Sequence, residues 1–203
     1  MIKRFAAIGA AALLITTQVT HTARAADISE PVILVASEGL NGSAFQQTVV
    51  IATPVRDGGH IGFIVNRPTT LKLEALFPDE APARKVKEPV YIGGPFQPRA
   101  VFALTQSAPQ GAALALPLMP GLVAVLDADS VNRIIEKTPN AARYFVGFTL
   151  WQSGELEQEI EDNLWEVRPA DVRLVFRART PGLWNALRKP MASADRFEHS
   201  HVG

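Results

Sequence analysis

The side chains most able to do chemistry crowd into one acidic stretch. Glu155, Glu157, Glu159, Glu161 and Asp162 lie within eight residues. Carboxylates at such spacing can hold a hard cation or act as acid and base. On a helix, Glu155/Glu159 and Glu157/Glu161 are i, i+4 pairs, where like charges repel. Glu155 and Glu157 in the first turn recover part of that cost from the helix dipole. No histidine or second acidic segment joins them, so the stretch reads as a solvated helix face and no metal site is expected. Asn163 stands where that helix should end and is expected to cap it.

Two other stretches have chemical potential. Asn66-Arg67-Pro68 ends an apolar run. Pro68 favours extended backbone at Arg67, and a guanidinium there can clamp an anion bidentately. Pairing with an acid of the 155–162 helix is the favoured reading of Arg67. Gly93-Gly94-Pro95 lets backbone approach another strand or a ligand closely, and tight packing is favoured. No Gly-Lys-Ser/Thr follows, so it is not a phosphate loop. Asn66, Arg67, Gly93, Gly94, Glu159 and Asn163 are thus the candidate ligand-binding residues. His60 follows Gly58-Gly59 and has no evident catalytic partner. The sequence holds no Gly-x-Ser-x-Gly elbow, His-Glu-x-x-His helix or dinucleotide fingerprint. No catalytic residue is assigned, no cofactor is expected, and the balance leans away from an enzyme. The chain has no cysteine, which excludes disulfides, thiolate zinc sites and thiol catalysis.

The elements that must position these residues are short, because 15 prolines are scattered through the chain. Apolar, β-branched runs predict strands at Val32–Ala36, Thr48–Thr53, His60–Val65, Pro89–Ile92, Val101–Thr105, Leu122–Leu126 and Tyr144–Leu150. Gly58-Gly59 predicts a hairpin turn between the second and third. Helices are expected at Lys72–Phe77, Ser130–Lys137, Glu155–Asn163 and Gly182–Lys189, with a further short one from Pro169 to Phe176. Asp127 or Asp129 should cap the second. Trp151, Trp165 and Trp184 are expected to share one core cluster. Strands come in runs rather than alternating with helices, which predicts a mixed, mostly antiparallel α+β domain. One domain is expected over 26–190, followed by a loose polar tail at 191–203.

The first residues predict export. Lys3 and Arg4 precede an apolar run, Phe5 to Ile15, too short to span a bilayer. Ala23-Arg24-Ala25 follows as a small-x-small cleavage pattern, which places the cut after Ala25. The whole chain balances 20 basic against 20 acidic residues. Removing Lys3, Arg4 and Arg24 leaves 17 against 20, a net charge of −3. The expected product is a mildly acidic periplasmic or secreted protein without a stable membrane anchor. Its charge disfavours a nucleic-acid partner, although Arg168, Arg173, Arg177, Arg179 and Arg188 make the C-terminal part locally basic.

Four blocks together resemble a known family. They are Ile61-Gly-Phe-Ile-Val-Asn-Arg-Pro68, Tyr91-Ile-Gly-Gly-Pro95, Tyr144-Phe-Val-Gly-Phe-Thr-Leu-Trp151, and Ser153-Gly-Glu-Leu-Glu-Gln-Glu-Ile-Glu-Asp-Asn-Leu-Trp165. In order and spacing they resemble the YqgE/AlgH family of small bacterial proteins. The resemblance spans about residues 31–189. It implies a single α+β domain whose bifurcated sheet folds into a pseudo-barrel with short flanking helices. It implies no established enzyme chemistry, and its AlgH branch is described as a transcriptional regulator. The family's N-terminal block departs here: Ser37-Glu38, Gly42-Ser43-Ala44-Phe45 and Ile51-Ala52-Thr53-Pro54 replace its Met-Pro, Asp-Pro-x-Phe and Cys-Glu-His. Family members usually lack a leader, so the resemblance taken alone implies a cytoplasmic protein.

The resulting expectation is a noncatalytic, exported domain that binds a protein or small ligand, with oligomeric state open. The alternatives are a regulator of the AlgH type, and a hydrolase with its cleft near Arg67 and the 155–163 helix.

Overall fold

The computed structural model describes residues 28–177 and 179–188. The expected leader, 1–25, and the expected tail, 191–203, lie outside the described residues. Strands β1 (Val32–Ala36), β2 (Val49–Pro54) and β3 (His60–Ile64) form an antiparallel meander. β4 (Pro68–Lys72) pairs with β5 (Pro89–Ile92), and β6 (Phe96–Thr105) with β8 (Leu122–Val125), whose other edge takes β7 (Ala115–Met119). β9 (Ala142–Trp151) joins these groups, and β10 (Trp165–Pro169) returns to the free edge of β1. Four short helices, α1 (Leu73–Leu76), α2 (Ala128–Lys137), α3 (Glu155–Glu161) and α4 (Leu183–Arg188), complete a mixed α+β fold.

The sheet forks along β9. One edge of β9 pairs with β6 over 142–146 and again at Phe148, with a register shift between. The other edge pairs first with β5, in the one parallel pairing, at Phe145 and Val146. It then changes partner to β3 at Thr149–Trp151. Gly147, at φ +69, sits between the two pairings. A residue in this conformation makes a bulge that shifts side-chain alternation by one. Phe145 and Phe148 consequently face the same core although they are three positions apart.

The forked sheet curls around a central core. Ile33, Val35, Ile51, Phe63, Phe102, Leu104, Phe145 and Phe148 fill it. Alternate residues face outward. On one half, Leu34, Val50, Ile64, Trp151 and Trp165 pack under α3. On the other, Val90, Ala103, Val125 and Tyr144 pack against α1 and α2. Residues 172–188 close the open side of the curl with Val175, Leu183 and the partly buried Trp184 and Leu187.

Several expectations are corrected. The segment from Pro169 to Phe176 is not a helix: Pro169 ends β10, and a single 3-10 turn follows at Val172–Leu174. Strands β4, β7 and β10 are additional to those expected. Each lies at a sheet edge, where prolines such as Pro68, Pro117 and Pro169 are tolerated and obscure the strand pattern. Trp184 does not share a cluster with Trp151 and Trp165; it lies against the central core, while they lie on the outer face. Asp127, not Asp129, caps α2, accepting from the Ser130 amide at 2.9 Å.

Candidate functional site

Asn66 and Arg67 leave β3 beside the turn that precedes β2. The Asn66 side-chain oxygen accepts from the Val49 amide at 2.8 Å, and its amide nitrogen donates to the Gln47 carbonyl at 2.9 Å. Arg67 donates through one guanidinium nitrogen to the Ala44 carbonyl and through the other to the Gln46 carbonyl at 2.9 Å. Arg67 therefore holds a loop rather than an acid of the 155–162 helix, because β3 adjoins β2 and carries it to the 44–47 turn. Burial lowers its pKa from the ordinary arginine value, yet an arginine stays charged in proteins.

That loop connects to Glu159. Phe45 stacks on Trp151 at 6.4 Å and meets Trp165 edge-on at 5.5 Å. One oxygen of Glu159 accepts from both indoles, at 2.9 Å from Trp151 Nε1 and 2.6 Å from Trp165 Nε1. Asn163 ends α3 in the left-handed region, at φ 58. The Leu164 amide bonds back to the Glu159 carbonyl and the Asn163 amide to that of Ile160. This is the Schellman pattern, with Asn163 in the place glycine usually takes.

Gly93 and Gly94 sit at the fork. The Gly93 amide donates to the Val146 carbonyl, and the Ile64 amide donates to the Gly93 carbonyl, both at 2.8 Å. A Cβ on Gly93 would lie 2.2 Å from the Gly147 oxygen, and one on Gly94 2.3 Å from the Phe148 backbone. Strand crossing accounts for both glycines. Asn66 and Arg67 hold the turn whose Phe45 meets the two tryptophans bonded to Glu159, Asn163 ends the helix that carries Glu159, and Gly93 and Gly94 lie apart at the fork. His60 is buried, with Nε2 2.9 Å from the Ile28 carbonyl. A carbonyl only accepts, so that nitrogen carries the proton.

Of the candidates, Asn163 lines a small cavity of about 330 Å³ with Ser37, Trp165, Glu166 and Arg188; another concave feature lies away from them. A cleft of about 560 Å³ opens between the 86–88 segment before β5, the end of β6 and the start of β9, lined by Glu88, Gln106, Ser107, Asn140, Arg143 and Phe176 among others. Arg143 is its deepest charge, 2% exposed. Its Nε donates to Glu88 at 2.8 Å, one terminal nitrogen donates to the Val175 carbonyl, and the other to the Arg177 carbonyl at 3.0 Å. The guanidinium lies 4.6 Å from the centre of the Tyr91 ring. The Glu88 side chain is half exposed and is fixed in the cleft wall by this pair. Sequence reasoning passed over Arg143. The signal was present: one arginine inside the apolar run Tyr144–Leu150 and its approach must be buried with partners or break the strand. Among the described residues, no group of three or more His, Asp or Glu is placed to hold a metal ion.

The AlgH-like family model (DUF179) matches residues 33–194. The chain belongs to the AlgH-like family. A UPF0301 protein of Polaromonas sp. is 32% identical over 152 residues, covering 70% of this chain and 78% of that protein. The UPF0301 protein SPO0296 of Ruegeria pomeroyi is 31% identical over 162 residues, covering 77% and 88%. The solution structure of the AlgH protein from Pseudomonas aeruginosa superposes with a TM-score of 0.65 at 25% identity, covering 88% of this chain and all of that one. The crystal structure of DIP2367 from Corynebacterium diphtheriae gives 0.62 at 26% identity, covering 80% and 88%.

Within this AlgH-like chain, the motif blocks are the contacts just described. Asn-Arg-Pro holds the 44–47 turn, Gly-Gly-Pro makes the fork, and the two tryptophans share Glu159. The departing N-terminal block keeps Phe45, which completes the aromatic group. Thr53, at the departing end of β2, is buried and donates to the Leu118 carbonyl at 2.7 Å.

Proposed function

We propose that this AlgH-like protein is an exported, noncatalytic binding domain that takes a protein segment or small polar ligand in the Glu88–Arg143 cleft. The observation that carries this reading is the buried Arg143 fixing a half-exposed carboxylate in the wall of the cleft. A pre-positioned charge beside apolar surface is the usual make-up of a recognition site, and the volume fits a small ligand. Gln106, Ser107 and Asn140 add donors and acceptors around it, and Phe176 adds an apolar wall. The noncatalytic part rests on where the reactive groups are spent. Arg67 and Glu159 are committed to carbonyls and indoles, and His60, bonded to the Ile28 carbonyl, does not line the cleft that holds Ser107. Export rests on the N-terminal pattern, and a cut after Ala25 leaves the described fold from Ile28 onward whole.

Titration of the 15N-labelled protein with a library of polar fragments, read by amide shifts, tests the binding reading. Shifts concentrated at Gln106, Ser107, Asn140 and Arg143 are expected. Fragments that bind only elsewhere, or none that bind, would overturn it. Cell fractionation with sequencing of the mature N-terminus tests export, with Ala26 as the expected first residue; a cytosolic protein starting at Met1 contradicts it.

A further inference from the structure

The margins of the sheet differ in what they leave open. β10 is terminal in the strand order, and among the described residues no strand pairs with its outer edge. The other margins are obstructed. β4 meets β5 in a broken register. β7 carries Pro117 at its centre and is tied to β2, where Thr53 donates to the Leu118 carbonyl. β10 instead runs in unbroken register with β1 from Trp165 to Pro169.

That register fixes which groups face outward. The Ser37 amide donates to the Leu164 carbonyl, and bonded pairs alternate along an antiparallel ladder. Glu166 and Arg168, opposite Val35 and Ile33, therefore spend their peptide groups on β1. Trp165 and Val167 turn theirs to the free edge, together with the Pro169 carbonyl. The side chains of Glu166 and Arg168 share one face of the strand. They bond to each other at 2.7 Å, with Glu166 about half exposed, and leave Arg168 Nε without an acceptor among the described residues.

An unpaired edge is a template for another strand, and like charges on it would repel a copy. Here the charges are opposite and flank Val167 symmetrically. In an antiparallel pair centred on Val167, Glu166 faces Arg168 of the partner subunit, and Arg168 faces the partner subunit's Glu166. Both are non-hydrogen-bonded positions, where side chains approach most closely and opposite charges attract. The two Val167 residues exchange an amide–carbonyl bond in each direction, and each Trp165 amide meets a Pro169 carbonyl across the axis. Proline's missing N–H therefore leaves this register usable. We propose that β10 is a self-association edge whose occupant is β10 of a second copy of this chain, paired antiparallel about a two-fold axis at Val167. The contact is isologous and closes at the dimer. A five-residue edge is smaller than a standard stable interface, so the dimer forms reversibly.

Sedimentation velocity of the full chain, from about 10 μM to about 1 mM, tests the proposal. Reversible dimerisation is expected. Glu166→Arg and Arg168→Glu each set like charges opposite one another at both symmetric positions, and each should weaken the dimer about tenfold or more. An equimolar mixture of the two variants restores opposite charges at both positions and should dimerise about as well as the wild type. A monomer at every concentration, a dimer that Glu166→Arg leaves unchanged, or a mixture of folded variants no tighter than either alone would overturn the proposal. Hydrogen exchange of the wild type keeps the test independent of how the variants fold. Protection of the Val167 amide should rise with protein concentration while that of Glu166, already bonded to β1, stays constant; a Val167 rate independent of concentration would equally overturn it.

Discussion

Glu159 shows how a side chain that reads as chemistry can be architecture. Its single oxygen satisfies two indole donors that would otherwise be buried without partners. Leaving a buried donor unsatisfied costs about 1–3 kcal/mol. Glu159→Ala should therefore lower stability by roughly 2–6 kcal/mol for the two donors, seen as a lower urea midpoint with altered tryptophan fluorescence. An unchanged midpoint would contradict the shared-acceptor account. Arg67 makes the same point more weakly, since it is only half buried. Arg67→Ala should cost about 1–2 kcal/mol and speed amide exchange at Gln46–Thr48 without affecting exchange in α2. From sequence, both residues were identifiable as singular but not as structural. An acidic helix and a lone arginine look alike whether they face a ligand or another part of the chain. The decisive partners of Arg67, the Ala44 and Gln46 carbonyls, are main-chain atoms with no pattern of their own, and the motif tryptophans Trp151 and Trp165 gave no sign of sharing Glu159.

At the scale of elements, the fork at β9 is the most demanding arrangement. Gly147 combines a positive φ with a Cβ position 2.3 Å from the Gly94 oxygen. Gly147→Ala should therefore destabilise by more than about 3 kcal/mol or prevent soluble expression; a variant of near-normal stability would contradict the crossing. The N-terminus of α2 gives a pH prediction. Burial alone would raise the Asp127 pKa, but the Ser130 side chain, the Leu114 and Ser130 amides and the Arg133 charge together lower it from the ordinary carboxylate value. A carboxyl depressed in the folded state stabilises at pH above its unfolded value and loses that contribution as pH falls through the folded one. The melting temperature should accordingly fall below about pH 4, and Asp127→Asn should reduce that slope. Strands β1, β3 and β9 were legible because their apolar runs carry no proline. The edge strands β4, β7 and β10 were not, because each carries a proline that an edge tolerates. The 169–176 segment was misread because Pro169, which can open a helix, here closes a strand.

For the whole molecule, the sequence conveyed the class of fold better than the place of the site. A mixed, mostly antiparallel sheet follows from the order of strands, its bifurcation is what the family resemblance implies, and the fold matches that of the AlgH protein structure. The cleft depends on residues 86–88, the end of β6, the start of β9 and Phe176, which are far apart in sequence and meet only in the curled sheet. Arg143 could have been singled out as a charge in a strand, but its acceptors, two backbone carbonyls beyond residue 174, are invisible in one dimension. The central claim is that recognition belongs to the Glu88–Arg143 cleft, while the motif residues Arg67 and Glu159 build the scaffold. The most direct test compares the affinity of the tightest-binding fragment for the wild type, Glu88→Gln and Arg67→Ala, at a temperature where all three are folded. The account predicts about tenfold or greater weakening for Glu88→Gln, the scale of one charged hydrogen bond, and unchanged affinity for Arg67→Ala. Weakening by Arg67→Ala with Glu88→Gln unaffected would contradict it.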